Sequence, residues 1–261
     1  MMKINLFQYQ IVWENKKNNV AKIKHCLEAT PDKSDLLLLP EMSFTGFSMH
    51  TELIGEINDE TKKEITKLCV EQDIAIGFGW VKEKERSENH YTVIDRFGNE
   101  IFDYIKIHPF SYSNEDKYFV GGSDMAYFEL QGISFSTLIC YDLRFPELFR
   151  IASRKADVII VPANWPQKRR EHWITLLRAR AIENQIYIIG INCVGNIGNL
   201  LYSGDSVVVA PDGSVLLDAG SGEGMVIFDL YNDVQKYRDE FPTYRDRRDD
   251  LYIKLQKEGK A

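Results

Sequence analysis

Short apolar runs alternate with amphipathic segments along most of the chain. Residues 4–9 predict a first strand, and residues 17–29 predict a helix that Pro31-Asp32 should end. The leucine-rich run at 35–39 is typical of a strand buried on both faces of a sheet. The same patterns predict helices at 59–72, 146–153, 171–185 and 232–239, and strands at 74–80, 91–95, 101–107, 126–130, 133–139, 158–161, 186–192, 206–210, 215–217 and 224–228.

Three stretches lack a clear period. Residues 110–125 predict a long loop, and loops of that length in a compact domain are often functional. Residues 195–199 predict a second loop. From about residue 242 the chain is strongly charged, which predicts a charged C-terminal tail.

The predicted elements fall into two halves of similar make-up. Each half alternates apolar strands with helices, which favours two sheets packed face to face with helices outside both. The predicted fold class is therefore α/β, a four-layer α-β-β-α sandwich formed by a single domain over residues 1–261. A doubly wound open sheet is the alternative. Gly195-Asn196-Ile197-Gly198 follows a strand but does not fit the dinucleotide fingerprint.

Composition and charge narrow the functional classes. The 261 residues are 44% hydrophobic and 27% charged, which is typical of a soluble globular protein. Because the net charge is -7 and the basic runs are short, we expect no binding to nucleic acid or to an anionic membrane. No apolar run has the length of a membrane span, and residues 1–7 lack the pattern of a signal peptide. These features predict a cytoplasmic protein.

Cys140 lies at a break in the pattern. Residues 136–139 suit a strand interior, and Pro146 followed by Glu147 suits the first turn of a helix. A cysteine at such an elbow lies near unpaired backbone N–H groups, which can stabilise a thiolate and hold an oxyanion. Cys140 is therefore a candidate nucleophile, and an ordinary buried cysteine is the alternative. The four cysteines are scattered, which argues against a zinc site or a disulfide framework.

Glu41 and Lys106 share the setting of Cys140, because each lies at or just beyond the end of an apolar strand. Functional side chains of layered α/β folds gather at such strand ends. Each residue alone has a structural alternative, since Glu41 could cap a helix and Lys106 could be solvated or protect a sheet edge. Three such coincidences in one chain favour a common site.

These three residues would supply the groups that amide hydrolysis requires. A thiol is mostly protonated at neutral pH, so a nearby carboxylate must accept its proton. A fixed ammonium and a backbone N–H can stabilise the negative oxygen of the tetrahedral intermediate. Of the five histidines, only His108 and His172 lie near candidate site segments, so a Cys–His protease is less favoured, although spacing alone does not exclude it.

Several ordered motifs occur along the chain, at residues 37–42, 104–108, 139–148, 161–166, 178–184 and 204–206. Together they resemble the carbon–nitrogen hydrolase (nitrilase) superfamily, and the resemblance covers nearly the whole chain. Within the superfamily the sequence is most similar to the ω-amidase branch, whose members hydrolyse the terminal amides of 2-oxoglutaramate and 2-oxosuccinamate. The segments that suggest this branch are residues 163–166, His172-Trp173 and 240–245.

The resemblance implies an amidohydrolase that converts the ω-amide of a small 2-oxo acid to the acid and ammonia through a cysteine thioester. A hydrolase of N-carbamoyl compounds, other small amides or nitriles with the same Glu-Lys-Cys machinery is the alternative. A non-catalytic binding protein of this fold is less favoured, because Glu41, Lys106 and Cys140 are all present. No metal or organic cofactor is expected. The family usually pairs its subunits, so the resemblance also implies a homodimer.

Individual roles follow from the same resemblance. Cys140 is the expected nucleophile, Glu41 the general base, and Lys106 the stabiliser or proton donor for the intermediate. Glu115 matches the second glutamate of the family by position, and a solvated loop acid is its alternative interpretation. The backbone N–H of Tyr141 should complete the oxyanion hole.

Substrate recognition is expected from aromatic residues in segments that should border the pocket, since an aromatic wall suits a small acyl chain: Phe44, Tyr112 and Trp165. A 2-oxo acid also needs a cation or N–H donors for its carboxylate, and the sequence identifies no arginine for this role. Arg144 lies near Cys140 in the chain, but it is expected to pair with Glu147 or Glu183 instead. Asp142 is expected to support the elbow.

Overall fold

Strands and helices contribute about equally to the ordered structure in the computed structural model, which describes residues 1–30 and 34–259. The strands are β1 (Met2–Gln8), β2 (Leu36–Leu38), β3 (Ala75–Lys82), β4 (Glu88–Ile94), β5 (Glu100–Ile105), β6 (Phe128–Leu130), β7 (Ile133–Thr137), β8 (Val158–Ala163), β9 (Tyr187–Asn192), β10 (Val194–Ile197), β11 (Leu200–Ser203), β12 (Val207–Val209), β13 (Val215–Asp218) and β14 (Gly224–Leu230).

The helices alternate with these strands. They are α1 (Lys16–Ala29), α2 (Thr51–Ile54), α3 (Glu60–Gln72), α4 (Glu115–Tyr118), α5 (Pro146–Ala152), α6 (Arg170–Asn184), α7 (Val234–Glu240) and α8 (Asp249–Glu258). None of the helices in the described part of the chain is long and apolar enough to cross a membrane. The expected helix end at Pro31-Asp32 lies outside the described residues.

Two six-stranded mixed sheets have closely similar topologies. The first has the order β14-β1-β2-β3-β4-β5, and the second has the order β13-β12-β9-β8-β7-β6. Each contains three adjacent parallel strands, β1 to β3 in the first and β7 to β9 in the second, with antiparallel strands outside them. This repetition corresponds to the two halves seen in the sequence pattern.

Successive side chains of β2 point to opposite faces of the first sheet, and each face packs against a different layer. Leu37 packs in an apolar cluster with α1 and α3, whereas Leu36 and Leu38 belong to a larger cluster that includes β7, β8, β9 and the inner faces of α5 and α6. Both faces of the first sheet are therefore covered, one by helices and the other by the second sheet. This arrangement confirms the predicted four-layer α-β-β-α sandwich over a single open sheet.

Three segments predicted without regular structure do form it. The loop prediction for residues 195–199 is wrong, because β10 and β11 pair there as a hairpin whose two-residue turn, Gly198-Asn199, has Gly198 at a positive φ. The segment 110–125 contains the short helix α4. The charged C-terminal segment contains α8, whose first turn carries Asp249 and Asp250 at the positive end of the helix.

Gly79 brings β3 into close contact with the segment that follows β2. Its N–H donates to the Ser43 hydroxyl at 3.0 Å, and its carbonyl accepts from the Ser43 N–H at 2.9 Å. A Cβ at position 79 would lie 2.3 Å from the Met42 nitrogen and 2.9 Å from the Glu41 carbonyl carbon. Only glycine allows this approach, and the approach fixes the backbone that carries Glu41.

We expect Gly79→Ala to lower the free energy of unfolding by about 1–3 kcal/mol, because the added methyl overpacks a closed contact. Urea unfolding followed by circular dichroism measures the change. Gly222→Ala is the control, since a Cβ there meets nothing within 4 Å. It should change stability by less than about 0.5 kcal/mol. Equal stability of the two variants would contradict the close contact at Gly79.

Candidate active site

Glu41 lies just past the carboxyl end of β2, with its side chain completely buried. The Asn164 backbone N–H, at the end of β8 in the other sheet, donates to Glu41 Oε2 at 3.0 Å. The Asn164 side-chain amide also donates to the Glu41 backbone carbonyl. The two sheets thus hold this carboxylate between them, and the strand-end placement predicted for it is the one observed.

Lys106 directly follows β5, and its ammonium is buried between two carboxylates. Its Nζ lies 2.8 Å from Glu41 Oε1 and 2.9 Å from Glu115 Oε2. Burial alone would lower the pKa of Lys106, but the charges of Glu115 and Glu41 outweigh it and raise this pKa. Lys106 therefore stays protonated, and the solvated or edge-protecting alternative does not describe it.

Glu115 opens α4 inside the segment predicted as a loop, and it is fully buried rather than solvated. The Phe110 backbone N–H donates to its carboxylate, and Lys106 contacts both carboxylate oxygens. Burial raises the pKa of Glu115; Lys106 opposes this rise, whereas Glu41 adds to it. The Asn89 amide donates to Glu41 at 2.9 Å and lies 3.3 Å from Glu115, so it bridges the two acids.

Cys140 begins a 3₁₀ turn, Cys140–Arg144, and two residues separate it from the end of β7. Its φ is +45°, a left-handed conformation that costs energy for a residue with a side chain. Buried Asp142 holds this elbow by accepting hydrogen bonds from the Ile139 N–H at 3.0 Å and the Tyr104 hydroxyl at 2.9 Å. The structural role predicted for Asp142 agrees with these contacts. Tyr141 is second in the turn, so its N–H belongs to the first turn, where N–H groups lack partners within a helix.

The electrostatics at Cys140 favour the thiol over the thiolate. Burial raises the pKa of the Cys140 thiol well above its usual value, and the negative charge of nearby Glu41 raises it further. Lys106 opposes this rise without cancelling it. The thiol lies 4.0 Å from the Asn164 carbonyl oxygen, its hydrogen-bond acceptor among the described residues. The resting group is therefore a neutral thiol, as expected for a cysteine that needs a carboxylate to accept its proton.

A cavity of about 350 Å³ opens over Cys140. Its floor includes Lys106, Cys140 and Asn164, and its walls are largely aromatic and apolar. The wall residues are Phe47, Met49, Phe110, Tyr112, Tyr141, Trp165, Pro166, Leu200 and Tyr202. A cavity of this size with an apolar wall and polar groups converging on one thiol suits a small organic substrate.

Two of the three predicted aromatic wall residues line this cavity. Trp165 is nearly buried in the wall, and Tyr112 lies at the rim with 83% of its surface exposed. The structure corrects the prediction that Phe44 borders the pocket. This residue is only 1% exposed and packs edge-on against Phe78 in the cluster beneath α1 and α3. Phe47 contributes the aromatic ring at the cavity instead.

The structure also corrects the expected pairing of Arg144 with Glu147 or Glu183. Glu183 pairs with Arg180 at 3.1 Å, whereas the Arg144 guanidinium lies 4.8 Å from the centre of the Trp165 ring. Arg144 also contacts His172 Nδ1 at 3.3 Å.

The two histidines considered for a Cys–His protease have other partners. His108 stacks on Phe145 and contacts Asp142 at 2.9 Å, whereas His172 contacts Arg144. The acid whose charge acts most strongly on the thiol is Glu41, which raises the pKa of Cys140.

Asn89 and Asn164 were missed by the sequence analysis, although both contact Glu41. A signal existed for Asn164, which follows an apolar strand in the same way as Glu41. Asn89 lies inside β4 and is paired with Lys106 through a backbone hydrogen bond of 2.9 Å. Its proximity depends on the pairing of β4 with β5, which local pattern does not specify.

Comparison with known proteins agrees with this geometry. The family model described as carbon-nitrogen hydrolase matches residues 3–239. The chain is 34% identical over 255 residues to the 2-oxoglutaramate amidase of Bacillus subtilis (strain 168), and the match covers 95% of this chain and 98% of that protein.

Solved structures show the same fold. The crystal structure of XC1258 from Xanthomonas campestris, a CN-hydrolase superfamily protein with an arsenic adduct in its active site, is 29% identical with a TM-score of 0.89, covering 95% of this chain and 97% of that one. A double mutant of the amidase from Nesterenkonia sp. AN1 in complex with acrylamide is 25% identical with a TM-score of 0.85, covering 97% of each chain. The chain belongs to the carbon-nitrogen hydrolase (nitrilase) superfamily.

Proposed function

We propose that this protein is an amidase that hydrolyses the terminal amide of a small carboxylic acid, the ω-amide of a 2-oxo acid such as 2-oxoglutaramate. The observation that carries the proposal is the buried cluster of Glu41, Lys106 and Glu115 beside the Cys140 thiol at the floor of the cavity. The match to a 2-oxoglutaramate amidase over almost the full length of both chains supports this substrate class.

The reaction begins with a neutral thiol. Glu41 accepts the proton of Cys140 as the sulfur attacks the amide carbon, so charge develops only when a substrate is in place. Attack converts the amide carbonyl to a tetrahedral intermediate with a negative oxygen. The Lys106 ammonium, kept protonated by its two carboxylates, and the Tyr141 N–H stabilise that oxygen.

Collapse of the intermediate breaks the carbon–nitrogen bond. The proton taken up by Glu41 passes to the leaving nitrogen, ammonia departs, and the acyl group remains on Cys140 as a thioester. Glu41 is then a free carboxylate again and accepts a proton from water as that water attacks the thioester. Release of the acid returns the proton to the thiol. Glu115 acts on Lys106, whose charge and position it maintains.

The cytoplasmic location and the homodimer stay predictions. So does the choice between a 2-oxo ω-amide and an N-carbamoyl compound, because both classes can use the same glutamate, lysine and cysteine.

We expect wild-type protein to release ammonia from 2-oxoglutaramate and Cys140→Ala to lose about 10⁴-fold or more in kcat, because the nucleophile is absent. A coupled ammonia assay measures both. Cys26→Ala is the matched control, since that half-buried thiol lies on α1, away from the cavity lining. It should retain turnover. Activity that survived in Cys140→Ala would exclude this cysteine as the nucleophile.

Measuring ammonia and CO₂ side by side separates the substrate classes. An ω-amidase releases ammonia from 2-oxoglutaramate without producing CO₂ from N-carbamoyl compounds. CO₂ release from an N-carbamoyl compound, with no turnover of 2-oxoglutaramate, would overturn the substrate assignment and leave the thioester chemistry intact. If no amide, nitrile or carbamoyl compound were turned over, a non-catalytic binding role would replace the proposal.

We expect Glu41→Gln to have two separate effects, one on turnover and one on the pKa of the thiol. Turnover should fall about 10²- to 10⁴-fold, because a glutamine cannot accept the thiol proton. The pKa of Cys140 should fall at the same time, because the carboxylate that raises it is gone while Lys106 remains. The pH dependence of alkylation by iodoacetamide, followed over about pH 6 to 10, measures the thiol pKa.

Exposed Glu147, on α5 close to the elbow, provides the control. Glu147→Gln should change neither turnover nor the pH profile of alkylation. A Glu41→Gln variant that kept wild-type turnover, or whose thiol titrated at a higher pH than wild type, would contradict the role assigned to this carboxylate.

A further inference from the structure

The mouth of the cavity carries a charge opposite to the excess charge buried beneath its floor. Two carboxylates, those of Glu41 and Glu115, surround the Lys106 ammonium there, whereas three basic residues line the cavity nearer its mouth: Arg144, Lys168 and Arg169. No Asp or Glu is among the lining residues in the described part of the chain. A neutral amide gains nothing from this concentration of positive charge, so it points to an anionic group on the ligand.

Two local elements place the arginines. Arg144 ends the 3₁₀ turn that Cys140 begins, and Arg169 ends the turn Gln167–Arg169 between β8 and α6. The turn that holds Arg169 is tied to the cavity wall, because the Trp165 indole N–H donates to the Arg169 carbonyl at 2.8 Å. Both arginines are therefore attached to rigid parts of the site.

Both guanidinium groups rest on aromatic rings of the cavity wall. Arg144 lies 4.8 Å from the centre of the Trp165 ring, and Arg169 lies 5.3 Å from the centre of the Phe110 ring. A guanidinium whose face packs on a ring keeps the N–H groups of its edge available for hydrogen bonds. One N–H group of Arg144 contacts His172 Nδ1.

Neither arginine forms an ion pair with an Asp or Glu among residues 1–30 and 34–259. Arg170, the next residue, contrasts with them, since it forms a two-point pair with Asp205 at 2.8 and 2.9 Å. Burial lowers the pKa of Arg144, and the positive charge of Arg169 lowers it further. A bound anion would relieve the mutual repulsion of these two groups.

We propose that Arg144 and Arg169 bind the carboxylate of the substrate at the mouth of the cavity, while its amide end reaches Cys140. This inference rests on the proposed function and identifies the residues that select a carboxylate-bearing amide. Guanidinium groups suit the task, because their planar forks match the two oxygens of a carboxylate. Lys168 is exposed at the rim and is not part of this pair.

The spacing fits a short acyl chain. Arg144 lies four positions after Cys140 in one 3₁₀ turn, which corresponds to a backbone rise of roughly 8 Å at about 2 Å per residue. Because both side chains line the same cavity, a four- or five-carbon ω-amide suits the space between them. The apolar rings between the two ends would contact the methylene groups of the chain.

Binding and turnover of Arg169→Gln test the inference separately. With 2-oxoglutaramate as the ligand in a Cys140→Ala background, calorimetry should show affinity weaker by about 10- to 100-fold when Arg169→Gln is added. In the protein with Cys140 present, Arg169→Gln should lower kcat/KM for 2-oxoglutaramate by a similar factor, mainly through KM. Hydrolysis of a neutral amide, butyramide, should change less than about twofold, since it makes no charged contact.

Matched variants identify the cause. Arg169→Lys should recover only part of the affinity, because it restores the charge without the fork. Lys117→Gln removes one positive charge from an exposed position on α4 that does not line the cavity, and it should leave binding within about twofold. If Arg169→Gln lowered kcat/KM equally for the charged and the neutral amide, Arg169 would have a structural role and the inference would be overturned.

Failure of the proposed function is recognisable on its own. Wild-type protein that did not hydrolyse 2-oxoglutaramate would refute that substrate. The binding measurement would still decide the role of the arginines: affinity that depends on Arg169 supports carboxylate binding, and affinity that is unchanged by Arg169→Gln, or absent in the Cys140→Ala protein, overturns it.

Discussion

The structure depends on one buried lysine that lies between two buried glutamates. Lys106, Glu41 and Glu115 are each at most 1% exposed, and none of them is tolerable in such a place without the others. Removing one partner of a buried ion pair leaves an uncompensated charge, which typically destabilises a protein by about 3–5 kcal/mol. Because the three groups come from the ends of β2 and β5 and from α4, the fold must bring these elements together before the cluster is stable. The same interaction therefore supports the fold and preorganises the site.

The excess of negative charge in this cluster explains the protonated state of the thiol. A cysteine at the start of a helical turn is usually a candidate for a lowered pKa, although the sequence analysis also called for a carboxylate to accept the proton of Cys140. In the structure, burial and Glu41 outweigh the contribution of Lys106, so the thiol is kept neutral. A neutral thiol next to its base is less exposed to oxidation and alkylation than a free thiolate, since the thiolate is the reactive form. Reactivity then depends on proton transfer within the site.

Much of the fold could be predicted because its strands are unusually apolar and its helices amphipathic. The argument from strand ends also placed Glu41, Lys106 and Cys140 in one neighbourhood, since parallel strands direct their carboxyl ends to the same edge. Side-chain direction within irregular segments could not be predicted. Phe44 and Phe47 lie three residues apart in one turn-rich segment, and only the backbone path, which includes a left-handed Met42, sends the second to the cavity and the first to the core. Contacts across the two sheets, such as Asn164 with Glu41, depend on long-range packing that local pattern does not encode.

Charge separation along the cavity gives the proposed substrate one preferred orientation. Glu41 and Glu115 lie beneath the floor around Lys106, so the buried cluster has a net negative charge, and a carboxylate held against the floor would be repelled by that excess in a poorly solvated site. At the mouth the same carboxylate meets Arg144 and Arg169. The amide, which is neutral, pays neither penalty and can approach the thiol. An anionic ω-amide is thus favoured with its amide inward, and the dicarboxylate left after hydrolysis places a new negative charge beside the glutamates. That repulsion favours departure of the product. The same distribution of charge along the cavity therefore accounts for both the orientation of the substrate and the release of the product.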